Sequence, residues 1–222
     1  MINGVDLMFA MKFALLLILA YLIGSFPTGV LVGKLFYHKD IRDYGSHNIG
    51  TTNTFRVLGP KAGTLVFLVD FFKGTLATCL PRIFHLGGHH LCLIFGAAAI
   101  FGHAFSIFLK FKGGKAVATT AGFLLGYNVQ FFGLCACFFI PLLLITSMVS
   151  LSSLISVVLI FISSFFFHDT FLTVMSGVLV VLIWWSHRAN IKRIIAGNEN
   201  LVSFGLYYHI KQKQDKDKDK KE

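Results

Sequence analysis

Between Ala116 and His168 the chain runs for 53 residues without an Asp, Glu, Lys or Arg. Two further charge-free runs extend from Phe13 to Gly33 and from Ile83 to Leu109. A helix needs about 20 apolar residues to cross a hydrocarbon core about 30 Å thick, so these blocks hold several crossings. They lack the period-two alternation of a transmembrane barrel, which leaves helices. Only 14% of residues are charged, against roughly 25% in an ordinary soluble domain. The expected fold is therefore an all-α integral membrane protein.

Breaks in the apolar pattern divide the chain further. A first span over about 9–36 leads into a loop at 38–60, followed by spans at 61–83 and 90–109. Beyond Lys115 come 116–127, 129–147, 149–167 and 170–187, separated at Tyr127-Asn128, around Ser147 and at His168-Asp169. Segment 116–127 is too short to cross alone and is expected as a half-helix buried among neighbours. The first apolar run is too long for a signal-peptide core and carries a Pro-Thr-Gly interruption, so it is expected to be retained.

Charge fixes the orientation. The net charge of +10 suggests nucleic acid as partner, but 17 of the 20 Lys and Arg fall in four clusters: 34–61, 110–115, 188–193 and the tail. That is the positive-inside pattern, so these clusters are expected on the cytoplasmic side, with no nucleic-acid partner. Equal sidedness at Lys115 and Arg188 requires an even number of crossings between them. The count is then about seven, with the N-terminus outside and the C-terminus cytoplasmic. Residues 1–210 are expected to form a single polytopic domain, and the Lys/Asp-rich tail at 211–222 to be disordered. The four cysteines lie in apolar runs as packing residues, and no metal site is expected.

Three polar segments lie at the basic borders. In the loop from Gly45 to Arg56, eight of twelve residues are Gly, Ser, Thr or Asn. Small residues allow close backbone approach, hydroxyls and amides supply hydrogen bonds, and Arg56 adds a fork suited to phosphate. Ser46, Asn48, Thr52 and Asn53 are the other candidates there. In the second segment, Lys112-Gly113-Gly114-Lys115 opens an apolar helix. Glycine N–H groups, the helix dipole and a lysine together favour an anion, although the Walker spacing is absent. The plainer alternative is that Lys112 and Lys115 only mark the membrane border. The third segment, His187 to Glu199, places His187 and Asn190 on one helical face. Within the spans, Asp70 and Lys73 stand three residues apart as a self-neutralising pair or a functional one. His103 reads equally as a structural histidine, and Pro27 should kink the first span.

These motifs, in this order and spacing, resemble the bacterial acyl-phosphate-dependent glycerol-3-phosphate acyltransferases. The resemblance covers residues 9–200 and includes Gly24-Ser25-Phe26-Pro27-Thr28-Gly29, the 45–56 loop, Asp70-x-x-Lys73-Gly74, Gly102-His103 through Gly-Gly-Lys, and 187–199. It implies a seven-span inner-membrane enzyme with its active site facing the cytoplasm and no cofactor. The implied reaction moves a fatty acyl group from acyl-phosphate to the 1-hydroxyl of glycerol-3-phosphate, giving lysophosphatidic acid and phosphate. By resemblance Ser46 and Arg56 are essential, and Gly113, Gly114 and Lys115 bind glycerol phosphate. His187 and Asn190 are functional, while Glu199, with Asp70 and Lys73, supports the structure. The implied partners are the two small-molecule substrates and membrane lipid, and a monomer is compatible with this. Two positions depart from the family: Ala116 where glycine is usual, and Ser106 where proline is usual. The methyl at 116 is expected to weaken glycerol-phosphate affinity modestly without abolishing activity. A phosphate-ester transporter would instead show polar residues along several spans and repeat symmetry, neither of which is visible.

Overall fold

The computed structural model describes residues 4–219, in which eleven α-helices and no strands are present. Five segments are long and apolar enough to cross a membrane: Asp6–Ser25, Pro60–Ile83, Leu91–Leu109, Val129–Thr146 and Val149–Phe167. A sixth results if Thr170–Ser186 and Arg188–Ile195, bent by 62° at His187, count as one span. The chain divides into two compact units, Met1–Phe132 and Gly133–Glu222, and each is described by itself.

In the first unit α1 (Gly4–Ser25) and α2 (Thr28–Tyr37) are the two halves of the expected first span. Pro27 has no N–H to continue the helix, and the chain breaks there. A short α3 (Thr51–Leu58) precedes α4 (Pro60–Ile83), α5 (Leu91–Ala104) and α6 (Val117–Tyr127). Proline at the first position of α4 costs nothing, because that N–H has no helical acceptor. Helix α6 is the expected half-helix. Its residues Thr119, Gly122, Phe123, Leu124, Gly126 and Tyr127 are buried. It lies so close to α4 that a Cβ on Gly122 would collide with Phe71 O, and one on Gly74 with Thr119 O. Such small-residue contact is how apolar helices pack where lipid removes the hydrophobic drive between them. Arg82 closes the end of α6, donating from Nη1 to Gly126 O (2.9 Å) and from Nη2 to Tyr127 O (3.2 Å).

The second unit contains most of α7 (Val129–Thr146), with α8 (Val149–Ser164), α9 (Thr170–Ser186), α10 (Arg188–Ile195) and α11 (Leu206–Asp219). Its breaks have local causes. Ser147 has a left-handed backbone (φ 57°), and Asp169 caps α9 by accepting from Leu172 N at 3.0 Å. Ser147 also holds the segment after α10: its carbonyl accepts from Val202 N (2.8 Å) and its hydroxyl from Tyr208 N (2.9 Å). Helix α11 runs through 211–219, where the sequence predicts disorder. This stretch has no Gly or Pro to stop a helix begun at Leu206, and Lys and Gln are good helix formers. The last part of that predicted tail, 220–222, lies outside the described residues.

Candidate active site

Asn53 organises the first polar segment. Its side chain, 1% exposed, accepts from Ser46 N at 2.8 Å. Its amide donates to the carbonyls of Ile41 (2.9 Å), Tyr44 (3.2 Å) and Asn48 (2.8 Å). Asn48 in turn accepts from Gly50 N at 3.0 Å, and Gly50 O accepts from Thr54 N as α3 begins. The polar atoms of Asn53, read from the sequence as a substrate ligand, are thus engaged within the loop. The loop that it holds presents half-buried Ser46 and Thr52 and exposed Arg56.

The Gly-Gly-Lys segment also departs from the phosphate-loop picture. Gly113 N donates to Ala104 O (3.1 Å) and Gly114 N to His103 O (3.0 Å). These amides satisfy the last carbonyls of α5 and are not offered to a ligand. Glycine is needed for another reason. A Cβ on Gly113 would strike His103 O, and one on Gly114 would strike His103 Nε2. What the turn presents is Lys112, exposed, and Lys115, half-buried at the start of α6. No side chain caps the N-terminus of α6. Ala116 is 2% exposed with φ 58°, a left-handed conformation that glycine adopts more readily than alanine. Ser106 has φ −66°, which a proline would also adopt, and its hydroxyl donates to Ser25 O at 2.5 Å.

The two segments meet. Ile49, 6% exposed, packs with Val30, Ile41 and Leu109. Its Cγ1 lies 3.2 Å from where a Gly114 Cβ would stand. Beside this junction is a buried polar network that the sequence shows only in part. Asp70 Oδ1 accepts from Thr28 Oγ1 (2.8 Å) and Lys73 Nζ (2.7 Å), and Lys73 also donates to Phe26 O (3.0 Å) at the Pro27 break. His103 Nδ1 is 3.2 Å from Thr119 Oγ1 and 3.9 Å from Asp70 Oδ1. The sequence carries Thr28 only as part of the Pro27 interruption and gives no sign that Thr119 joins it around Asp70 and His103. The network ties α2, α4, α5 and α6 together.

The third segment lies in the second unit. His187 is 2% exposed, and its Nδ1 is 2.8 Å from Ile183 O. A carbonyl only accepts, so Nδ1 is the donor in this contact. Asn190 Nδ2 donates to Glu199 Oε1 (2.8 Å), and Arg193 Nε donates to Glu199 Oε2 (2.9 Å). Glu199, 8% exposed, thereby fixes the amide of Asn190.

Residues 14–197 match the family described as glycerol-3-phosphate acyltransferase. A protein of Lactobacillus acidophilus named glycerol-3-phosphate acyltransferase 2 is 72% identical over 95% of this chain and 100% of its own length. One of Lactobacillus johnsonii with the same name is 64% identical over 92% of this chain and 94% of its own. The fold is similar to crystal structures of PlsY (YgiH), an integral membrane glycerol 3-phosphate acyltransferase. For its glycerol 3-phosphate form the TM-score is 0.79 at 33% identity, over 86% of this chain and 95% of that one. For its lysophosphatidic acid form the TM-score is 0.77 at 32% identity, over 86% and 96%.

Proposed function

The chain belongs to the glycerol-3-phosphate acyltransferase family, and from that premise we propose that it acylates the 1-hydroxyl of sn-glycerol-3-phosphate with acyl-phosphate as donor. The hydroxyl oxygen bonds to the acyl carbonyl carbon, the bond from that carbon to the phosphate oxygen breaks, and the proton leaves with inorganic phosphate. Lysophosphatidic acid is the product. The observation that carries this proposal is the family match over residues 14–197, which holds the first two polar segments and most of the third, in a chain similar to a structure solved in its glycerol 3-phosphate form.

In this proposal each side chain takes a role consistent with its surroundings. Ser46, Arg56, Lys112 and Lys115 recognise phosphate, with Asn48 and Thr52 beside them. Gly113 and Gly114 shape the turn and do not donate to the ligand. Asn190, fixed by Glu199, stabilises the developing oxyanion. His187 orients the attacking hydroxyl through Nε2. Phosphate is a good leaving group, so transfer is direct and no acyl-enzyme forms. Asp70 and Lys73 support the scaffold. We further propose a single domain over 1–210 with about seven crossings in the bacterial inner membrane. Its N-terminus is outside and its site faces the cytoplasm, supported by the clustering of basic residues.

The test is a donor comparison on purified protein. Acyl-phosphate is expected to give lysophosphatidic acid, and acyl-CoA and acyl carrier protein are expected to give none. Turnover with either thioester and not with acyl-phosphate would overturn the proposal.

A further inference from the structure

Arg42, His47, Lys110 and Lys112 line one cavity of about 580 Å³, with Phe108 and Leu109 among its apolar lining. Its cations are poorly neutralised from within. Arg42 spends Nε and Nη2 on Asp40, at 2.9 and 2.6 Å, and Asp40 is shared with Lys34 at 3.2 Å. Among the described residues Arg42 Nη1 bonds to nothing, and the ammonium groups of Lys110 and Lys112 have no ion-pair or hydrogen-bond partner. His47 Nδ1 is held 2.9 Å from Arg42 O.

The backbone here is set in advance. Lys110 (φ 53°) and Phe111 (φ 61°) are successive left-handed residues, an arrangement that persists only when the surroundings impose it. Phe111 N donates to Ser106 O at 2.8 Å and Lys112 N to Leu109 O at 3.1 Å. The same turn leaves Phe108 57% and Phe111 61% exposed, where the apolar segment Leu91–Leu109 ends. A soluble phosphate ester has no use for exposed aromatic rings beside its charge site. A lipid has, since its acyl chains lie along them while its phosphate meets the cations.

We propose that this cavity holds the phosphate headgroup of an anionic diacyl phospholipid from the surrounding bilayer, as a bound lipid that is not turned over. The site shares Lys112 and Gly113 with the proposed glycerol-phosphate segment and His47 and Ile49 with the 45–56 loop, while Arg42, Phe108, Leu109 and Lys110 lie outside both. The test is native mass spectrometry of the detergent-purified full chain titrated with phosphatidylglycerol or phosphatidylcholine. The phosphatidylglycerol adduct is expected to dominate. Lys110→Gln weakens it about fivefold and Arg42→Gln with Lys110→Gln about twenty-fivefold, at about one charge contribution each. Phosphatidylcholine adducts stay unchanged in both variants, which reports an intact fold. Phe108→Ser, which leaves every charge in place, also weakens the phosphatidylglycerol adduct. An adduct insensitive to all three variants overturns the proposal. So does one-for-one displacement of the lipid by glycerol-3-phosphate or acyl-phosphate, which would make the cavity a substrate site.

Discussion

Asn190 and Glu199 are joined at 2.8 Å inside the second unit, and Arg193 takes the other carboxylate oxygen at 2.9 Å. Glu199→Ala leaves a buried amide without its acceptor, at a cost of about 1–3 kcal/mol. Both thermal stability and kcat should fall. Glu199→Gln keeps an acceptor for Asn190 and should retain more of both. Unfolding temperature and initial rates of the two variants measure this.

Asn53 predicts a different pattern. Asn53→Ala removes the acceptor for Ser46 N and the donor to three loop carbonyls, so the loop that presents Ser46 loses its shape. Misplacing reacting groups by about 1 Å costs on the order of a hundredfold. A fall in kcat/KM of that order is expected in steady-state kinetics.

Asp70 and Lys73, 2% and 6% exposed, should behave as a coupled pair. Lys73→Met alone leaves a buried carboxylate uncompensated, at about 3–5 kcal/mol. The double variant Asp70→Asn with Lys73→Met strands no charge and should recover much of that loss. Thermal unfolding of both single variants and the double variant closes the cycle.

Ala116→Gly should stabilise the protein. A left-handed alanine costs about 1–2 kcal/mol, and the extra unfolded-state freedom of glycine returns about 0.4–1 kcal/mol of that. A net gain of about 1 kcal/mol is expected in thermal unfolding, with a modest fall in KM for glycerol-3-phosphate.

The Arg42 guanidinium beside Asp40 holds its carboxyl well below the usual carboxylate range. A depressed folded-state pKa stabilises the protein above the unfolded value of about 3.9, and that contribution is lost as pH falls below it. Asp40→Asn should therefore lower stability at neutral pH and narrow its difference from the parent chain as the medium becomes acidic. Unfolding temperatures from neutral pH down to about pH 3 test this.

Much of the architecture is legible in the chain because it rests on local chemistry. The breaks at Asn128, Ser147 and Asp169 and the interruption at Pro27 need only neighbouring residues to explain them. The roles of Gly113, Gly114 and Asn53 were not legible. A Gly-Gly-Lys segment looks alike whether its amides face an anion or close the end of a preceding helix, and only the position of His103 O and Ala104 O decides. Asn53 differs from Asn48 in burial alone, which depends on where Ile41 and Tyr44 fold back. The helix over 211–219 lies in a composition that fits both a solvated helix and an unstructured tail.

Direct acyl transfer is tested most directly by following phosphate release from acyl-phosphate by the purified chain, with and without glycerol-3-phosphate. The account predicts release only when the acceptor is present, with one lysophosphatidic acid formed per phosphate. A stoichiometric burst of phosphate in the absence of acceptor, or no release in its presence, would contradict it.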